Sequence, residues 1–249
     1  MKTQTHGTCA ILDVDRIQCA VPYAIGYGEC PTMTHMSKIR ECLSPSMIRP
    51  SINVVRQRIH STEQAIVLRR DLEAPHTRPK AAIEIDVRPL TEADVPKILH
   101  AGEAASADDV LYRSRRRWLL ESGLGTCYAA VTASDEPCYV QWLMGEKDNA
   151  RIQSYFGGAF PVLEPGTALL EGAFTPAPFR GKGIMGLAMS LIAEKAADLD
   201  SQYVITVVGT DNIPSLKGCE KANFFPYLNR EVAWSMLRRR VTFEPVAAA

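Results

Sequence analysis

Arg180-Gly181-Lys182-Gly183-Ile184-Met185-Gly186 lies between two apolar segments of different period. Upstream, Ala168-Leu169-Leu170-Glu171-Gly172-Ala173-Phe174 reads as a strand. Downstream, 185–199 places apolar residues at helical spacing and reads as a helix. A glycine-rich turn from strand to helix gathers free backbone N–H groups at the positive end of a helix dipole. That makes an anion site, and diphosphate is the usual anion. Glycine at 181 and 183 removes the Cβ atoms that would block close approach. Arg180 and Lys182 add positive charge at the mouth. The same turn can also be a plain helix cap, so the surrounding chain decides its meaning.

The chain has 249 residues, enough for one or two domains with a real core. Lys plus Arg number 28 and Asp plus Glu number 28, so no global field recruits nucleic acid or an anionic membrane. No apolar run reaches the length of a membrane span, and the first residues lack the apolar core of a signal peptide. A cytoplasmic location is expected. The seven cysteines form no CxxC pair. Cys9, Cys19, Cys30 and Cys42 are too widely spaced for a zinc site, even with His6 and His35 nearby, so buried thiols and no metal are expected.

Residues 1–80 differ from the rest. Pro45, Pro50, Pro75 and Pro79 punctuate them and their periodicity is weak. They read as a partly ordered extension with one helix over 51–70, carrying Ile52, Val55, Ile59, Ala65 and Ile66, and a linker over 73–80. From 81 the pattern sharpens into a second unit, 81–240, with a flexible tail over 241–249. Ile83-Glu84-Ile85-Asp86-Val87-Arg88 alternates as a half-buried strand does. Thr91 caps a helix, with Asp94 at the fourth position of an approximate capping box. A helix over 107–121 follows, then strands over 126–132 and 138–144 joined by Ser134-Asp135-Glu136-Pro137, and a short helix over 148–156. Strand 168–175, the glycine loop and helix 183–199 come next. Strand 203–208, a helix over 213–222 and strand-like 224–227 and 232–236 complete the unit. The expected class is α/β (α+β), with a mixed, mostly antiparallel sheet flanked by helices.

Two blocks carry a family resemblance. Phe179-Arg180-Gly181-Lys182-Gly183-Ile184 resembles the acyl-CoA pyrophosphate signature Q/R-x-x-G-x-G/A of the GNAT acyltransferase superfamily. The stretch from Asn212-Ile213-Pro214-Ser215 to Glu220-Lys221-Ala222-Asn223-Phe224 is similar to that family's next motif, Asn-x-x-Ala/Ser followed by Glu-Lys-x-Gly-Phe. The resemblance covers 83–237. Two residues depart from it. Met185 stands where the loop signature has its second Gly or Ala, so its side chain must point away from phosphates or crowd them. Asn223 replaces a glycine, and asparagine tolerates the left-handed backbone a turn needs there.

The resemblance implies an acyl group carried on CoA and passed to an amine. Backbone N–H groups of Gly181, Lys182, Gly183, Ile184, Met185 and Gly186, with Arg180, would hold the diphosphate. Ala173, Phe174 and Thr175 would pair with the pantetheine arm by β-augmentation of a splayed strand. Asn212 and Ser215 would touch the same arm, or Asn212 would cap the following helix. Glu171 would deprotonate the amine. Where the family often has a tyrosine acid, this chain has Cys219, which is either an acid for the departing thiolate or a packed residue; Tyr227 is the nearby alternative. Arg113, Arg115, Arg116 and Arg117 read as a solvated helix face, or as a patch for an acidic acceptor or carrier protein. Tyr139 and Gln141 share one strand face and Trp142 takes the other; any of them could line the acceptor site.

The expectation is therefore an acyl-CoA-dependent N-acyltransferase using acetyl-CoA or another acyl-CoA as co-substrate. Its partner would be a small-molecule or peptide amine, with no membrane or nucleic acid, and a homodimer is compatible. A CoA-sensing module without chemistry, or a transferase fed by an acyl-carrier protein or aminoacyl-tRNA, is the alternative on the same scaffold.

Overall fold

The structure is a computed structural model that describes residues 59–100 and 107–247. Cys9, Cys19, Cys30, Cys42, His6, His35, Ile52 and Val55 lie outside the described residues. The first described element is a strand, β1 (His60–Asp71), where the apolar spacing predicted a helix. The reason lies in Ala65-Ile66-Val67-Leu68. A strand covered on both faces reads as a continuous apolar run, which periodicity cannot separate from a short buried helix. Ala65, Val67 and Leu68 are all buried.

The remaining strands are β2 (Ile85–Pro89), β3 (Thr126–Thr132), β4 (Pro137–Met144), β5 (Thr167–Phe174), β6 (Tyr203–Gly209), β7 (Phe225–Ser235) and β8 (Arg238–Pro245). They form one sheet in the order β2-β3-β4-β5-β6-β1-β7-β8. Every neighbouring pair is antiparallel except β5 and β6, which run parallel. The mixed, mostly antiparallel sheet expected from the sequence is present. The unit boundary at 81 does not match it, because β1 lies upstream of that point and sits between β6 and β7. The tail over 241–249 likewise contributes most of β8. This strand went unread because its turn, Met236-Leu237, has none of the Asn-Gly or Asp-Gly chemistry that signals a two-residue hairpin. Both turn residues nevertheless adopt left-handed backbone, with φ of 47° and 66°. The segments predicted separately over 224–227 and 232–236 are parts of the single strand β7.

Helices cover both faces. On one lie α1 (Val95–Ile98), α2 (Ala107–Glu121) and α3 (Asn149–Phe156). They contribute Ile98, Leu119, Ile152 and Phe156 to a core with Val67, Val140, Trp142, Leu169 and Ile205. On the other lie α4 (Ile184–Glu194) and α5 (Ile213–Lys221). Ile184, Ala188, Met189, Ile192 and Ala193 pack there against Leu68, Leu170 and Val204. Ile192 is fully buried, and truncation of such a residue to alanine costs about 2–5 kcal/mol.

Residues 72–84 run from β1 to β2 across the outside of α4. Polar contacts hold this strap. The Arg70 guanidinium is 1% exposed and donates to the Ser190 carbonyl and Oγ at 3.1 and 3.0 Å. It also meets the His76 ring at 2.8 Å. Arg78 pairs with Glu194 at 2.6 Å. Farther along, the Ala82 N–H donates to the Lys182 carbonyl at 2.8 Å, which joins the strap to the glycine loop. Past β2, the Asp94 carboxylate accepts from the Thr91 N–H and hydroxyl at 2.9 and 2.7 Å; only this return half of the expected capping box forms, because the hydroxyl is turned to the carboxylate and the residue at the N-cap of α1 is Asp94 rather than Thr91. The Arg88 hydrogen bonds are the main cause holding the Asp94 carboxyl well below its usual range.

Two outcomes test this arrangement. A chain beginning at residue 81 is expected to lose cooperative thermal unfolding, because β6 and β7 would each expose an unpaired edge; circular dichroism reads the transition. Burial first, and Arg70 second, depress the His76 pKa. The unfolded chain therefore takes up the proton more readily than the folded one. Stability from this group is full above the ordinary histidine pKa of about 6.5 and is lost as pH falls below it. The wild-type Tm is expected to drop from pH 7.5 to pH 5 by more than that of His76→Gln.

Candidate functional site

β5 and β6 pair only through Thr167↔Tyr203, Ala168↔Val204 and Leu169↔Ile205. Beyond that point β5 runs on to Phe174 without β6, while β6 stays paired to β1 as far as Ala65↔Gly209. The two parallel strands thus diverge toward their carboxyl ends, and residues 170–174 keep one edge free of any strand partner among the described residues. The predicted splay is present, and the glycine loop leads from it into α4.

In the loop, Ala177–Phe179 makes one 3-10 turn. Gly181 and Gly183 have φ of +76° and +74°, a backbone that favours glycine. A Cβ on Gly181 would meet nothing within 4 Å. A Cβ on Gly183 would fall 2.8 Å from the Lys80 carbonyl oxygen of the strap. Both glycines are exposed. Among the described residues, no protein carbonyl accepts from the N–H groups of residues 181–186; the first to bond back into the helix is Leu187, to the Gly183 carbonyl. These N–H groups converge at the amino end of an eleven-residue helix, the setting in which such groups bind phosphate.

The side chains of the loop fall into place around that end. Arg180 is exposed and donates from Nε to the Thr175 carbonyl at 2.9 Å, which closes the turn. The Lys182 ammonium lies 5.5 Å over the Phe179 ring. Ile184 is buried in the core below α4. Met185 turns toward α5, where its Sδ would stand 3.1 Å from a Cβ placed on Gly218. The methionine therefore leaves the N–H groups uncovered. Gly186 is buried against α5 and Pro79 of the strap. A groove of about 390 Å³ also flanks the loop, lined by residues that include Ile83, Glu84, Glu136, Phe179 and Lys182. None of its lining comes from β6 or α5, so it is distinct from the gap between the diverging strands.

Asn212 caps α5 through a side-chain oxygen that accepts from the Ser215 N–H at 3.3 Å. Asn223 adopts φ +67°, the left-handed turn its sequence position called for. Glu171 is half-buried and sits opposite Trp142 across the β4–β5 ladder. It therefore lies on the α2 face of the sheet, beside the point where the splay opens. Ala173 packs toward the α4 face and Phe174 toward the α2 face.

Cys219 does not reach this opening. It is fully buried, with its Sγ 3.8 Å from Met189 Sδ, and burial pushes the thiol up to about 12. Its reading as an acid gives way to packing. Tyr227 lies on β7, two strands beyond β6, and stacks with the Arg69 guanidinium 4.0 Å from its ring centre. Tyr227 is thus three strands away from Glu171 in the sheet.

Tyr139, Gln141 and Trp142 are all buried, and the Tyr139 hydroxyl donates to Gln141 Oε1 at 2.7 Å. Burial holds the phenol well above its ordinary pKa. The arginines of α2 are not a free cationic face. Arg113 bonds Asp109 at 2.7 Å and stacks on Phe174, Arg116 bonds backbone carbonyls of β5, and Arg117 faces Glu121. The contact of Arg116 with β5 was not legible as such. Gly172 inside a strand pattern was the available signal, since an isolated glycine there marks a bulge.

Among the described residues, no three His, Cys, Asp or Glu side chains gather as metal ligands would. Nor is any described helix long and apolar enough to cross a membrane.

No protein-family model matches the chain, and no curated protein sequence matches it. Solved structures that resemble it include acetyltransferases of the GNAT family. One, from Colwellia psychrerythraea, is 12% identical with a TM-score of 0.46 over 79% of this chain and 62% of its own. A GCN5-related N-acetyltransferase from Sphaerobacter thermophilus is 10% identical with a TM-score of 0.44 over 80% of this chain and 58% of its own. AAC(6')-Ib, solved with Parmomycin and AcetylCoA, is 16% identical with a TM-score of 0.38 over 65% of this chain and 93% of its own. This chain thus spans about three fifths of the length of the first two. Likeness this faint carries no claim about chemistry, which rests on the loop and the splay.

The buried thiol has a direct consequence. At pH 8 Cys219 is expected to resist iodoacetamide in the folded protein and to be alkylated fully in urea, read by peptide mass spectrometry.

Proposed function

We propose that this protein is an acyl-CoA-dependent N-acyltransferase, with acetyl-CoA as donor and an amine as acceptor. One observation carries the reading: an uncommitted row of N–H groups at the start of α4 stands beside a strand whose edge is free. A CoA-type donor has a matching pair of features. Its diphosphate suits the N–H groups at the helix end, and its amide-bearing arm suits the free edge of β5.

Three local features support the fit. The Gly181 flank is open, Met185 is turned away, and both loop glycines already hold the backbone that close approach needs. Arg180 and Lys182 stand within the same turn, so positive charge accompanies the N–H groups.

The chemistry then asks little covalent help of the protein. It needs position, a neutral nucleophile and a polarised carbonyl. Glu171 is the residue suited to take a proton from an ammonium entering from the α2 side. The nitrogen attacks the thioester carbon, the C–S bond breaks, and the one further proton the nitrogen loses as it becomes an amide ends on the departing thiolate. With Cys219 buried and Tyr227 two strands beyond β6, solvent rather than a side chain completes that last transfer. The acceptor would be a small-molecule amine or amino sugar, or a peptide amine.

Calorimetry with acetyl-CoA, followed by thiol release against a panel of polyamines, amino sugars and amino-acid amides, tests the reading. Binding with amine-dependent release is expected. Binding without release would point to a sensor, and absence of binding to a different donor. Gly181→Val is expected to weaken acetyl-CoA binding about tenfold or more, since it strains a left-handed turn and covers an open flank. Glu171→Gln is expected to lower kcat/KM by about 100-fold across pH 6–9, the scale of one lost general base.

A further inference from the structure

β5 carries a bulge at Gly172. Val140 faces Phe174 and Trp142 faces Glu171, so β5 has one residue more than β4 over the same interval. Gly172 has φ +73°. A Cβ there would fall 2.8 Å from Trp142 Cε3 and 3.2 Å from Leu119 Cδ2. The bulge therefore presses against the neighbouring strand and against α2 with no room to relax.

A bulge takes backbone groups out of the ladder and leaves them needing partners. Arg116 of α2 supplies two. Its Nε donates to the Gly172 carbonyl at 3.2 Å and its Nη2 to the Ala173 carbonyl at 2.8 Å. A third donor, Nη1, bonds the Tyr112 carbonyl at 3.1 Å within α2. The guanidinium carbon also lies 5.7 Å from the Phe174 ring centre. The rigid fork thus reads two successive carbonyls and ties them to a helix, which a lysine could do only in part. Glu171 directly precedes the bulge, and residues 172–174 belong to the free edge. Any rotation at Gly172 moves both together.

We propose that Arg116 is a positioning residue for acyl transfer. Its fork on the Gly172 and Ala173 carbonyls fixes the bulge, and the bulge aims Glu171 at the acceptor nitrogen while it sets the free edge of β5 along the donor. The proposal rests on the acyltransferase reading above. It also accounts for three of the five donors of an arginine so near the splay, which are spent on backbone rather than on an anionic acceptor.

The experiment compares Arg116→Met, Arg116→Lys and Arg116→Ala with wild type, using acetyl-CoA and the amine that wild type turns over fastest in the panel. Arg117→Met serves as control, since Arg117 lies on the same helix and, among the described residues, pairs with Glu121 at 3.7 Å rather than with β5. Loss of two hydrogen bonds from a charged group is expected to lower kcat of Arg116→Met by about 10- to 100-fold. Acetyl-CoA affinity, held mainly by the loop with a smaller share from the β5 edge, is expected to fall by less, about threefold at most. Arg116→Lys is expected to fall between, millimolar guanidinium to restore part of the rate of Arg116→Ala but not to alter wild type, and Arg117→Met to match wild type. A wild-type kcat in Arg116→Met overturns the proposal. So does a loss that merely follows the folded fraction, with no split between kcat and affinity and no response to guanidinium. If wild type itself releases no thiol with any amine, the acyltransferase reading falls and this one with it; if wild type is active and Arg116→Met equally so, this one falls alone.

Discussion

The whole sheet depends on where β1 inserts. β6 and β7 do not pair with each other; β1 lies between them and bonds both, through Ala65↔Gly209 to Asp71↔Tyr203 on one side and His60↔Ser235 to Arg69↔Phe225 on the other. Without it the β7–β8 hairpin has no strand partner in the rest of the sheet. The insertion also decides the opening. Because β6 is held by β1 along its full length, it need not follow β5, and the parallel pair can part after three residues. The splay is thus a product of competition for one strand's two edges, settled by a segment more than a hundred residues upstream.

The same segment reaches the loop by another route. After β1 the chain crosses α4 as a strap, anchored by the buried Arg70 guanidinium and the Arg78–Glu194 pair, and its Lys80 carbonyl arrives beside Gly183. A buried charge is costly unless its donors find partners. Ser190 on α4 accepts twice from Arg70 Nη1, which fixes the helix against β1 and with it the height of the N–H row, while the buried Nε has no partner among the described residues. The loop is held from behind by the strap and from below by Ile184 in the core, and this leaves the Gly181 side facing outward.

Most of the elements from 107 to 221 were legible because their signals are local. Period, caps and turn residues agree there, and the observed bounds fall within a residue or two of the predicted ones, save that the helix over 183–199 turns to 3-10 geometry after Glu194. The glycine loop and the left-handed Asn223 were legible for the same reason. What escaped the sequence was set by long-range pairing. The Ala65-Ile66-Val67-Leu68 run has one appearance in a buried strand and in a buried helix, and only its partners at 203–209 and 225–235 choose between them. The Met236-Leu237 hairpin adopts a backbone its residues do not advertise. At the site, residue types were readable but company was not. Nothing in the string indicates that Cys219 is sealed against Met189, that Tyr227 is taken by Arg69, or that Arg116 faces a bulge rather than water.

Met185 and Gly218 form a matched couple: one side chain fills what the other backbone leaves bare. Interiors accept exchange of volume more readily than its loss or gain. The two sites are therefore bound in size though they sit in different helices and are 33 positions apart in the chain. A homologue with alanine at the first site has space for a larger residue at the second, and one with a bulky residue at both must push α5 outward. In a lineage of such proteins, these two columns are expected to vary together and in opposite directions.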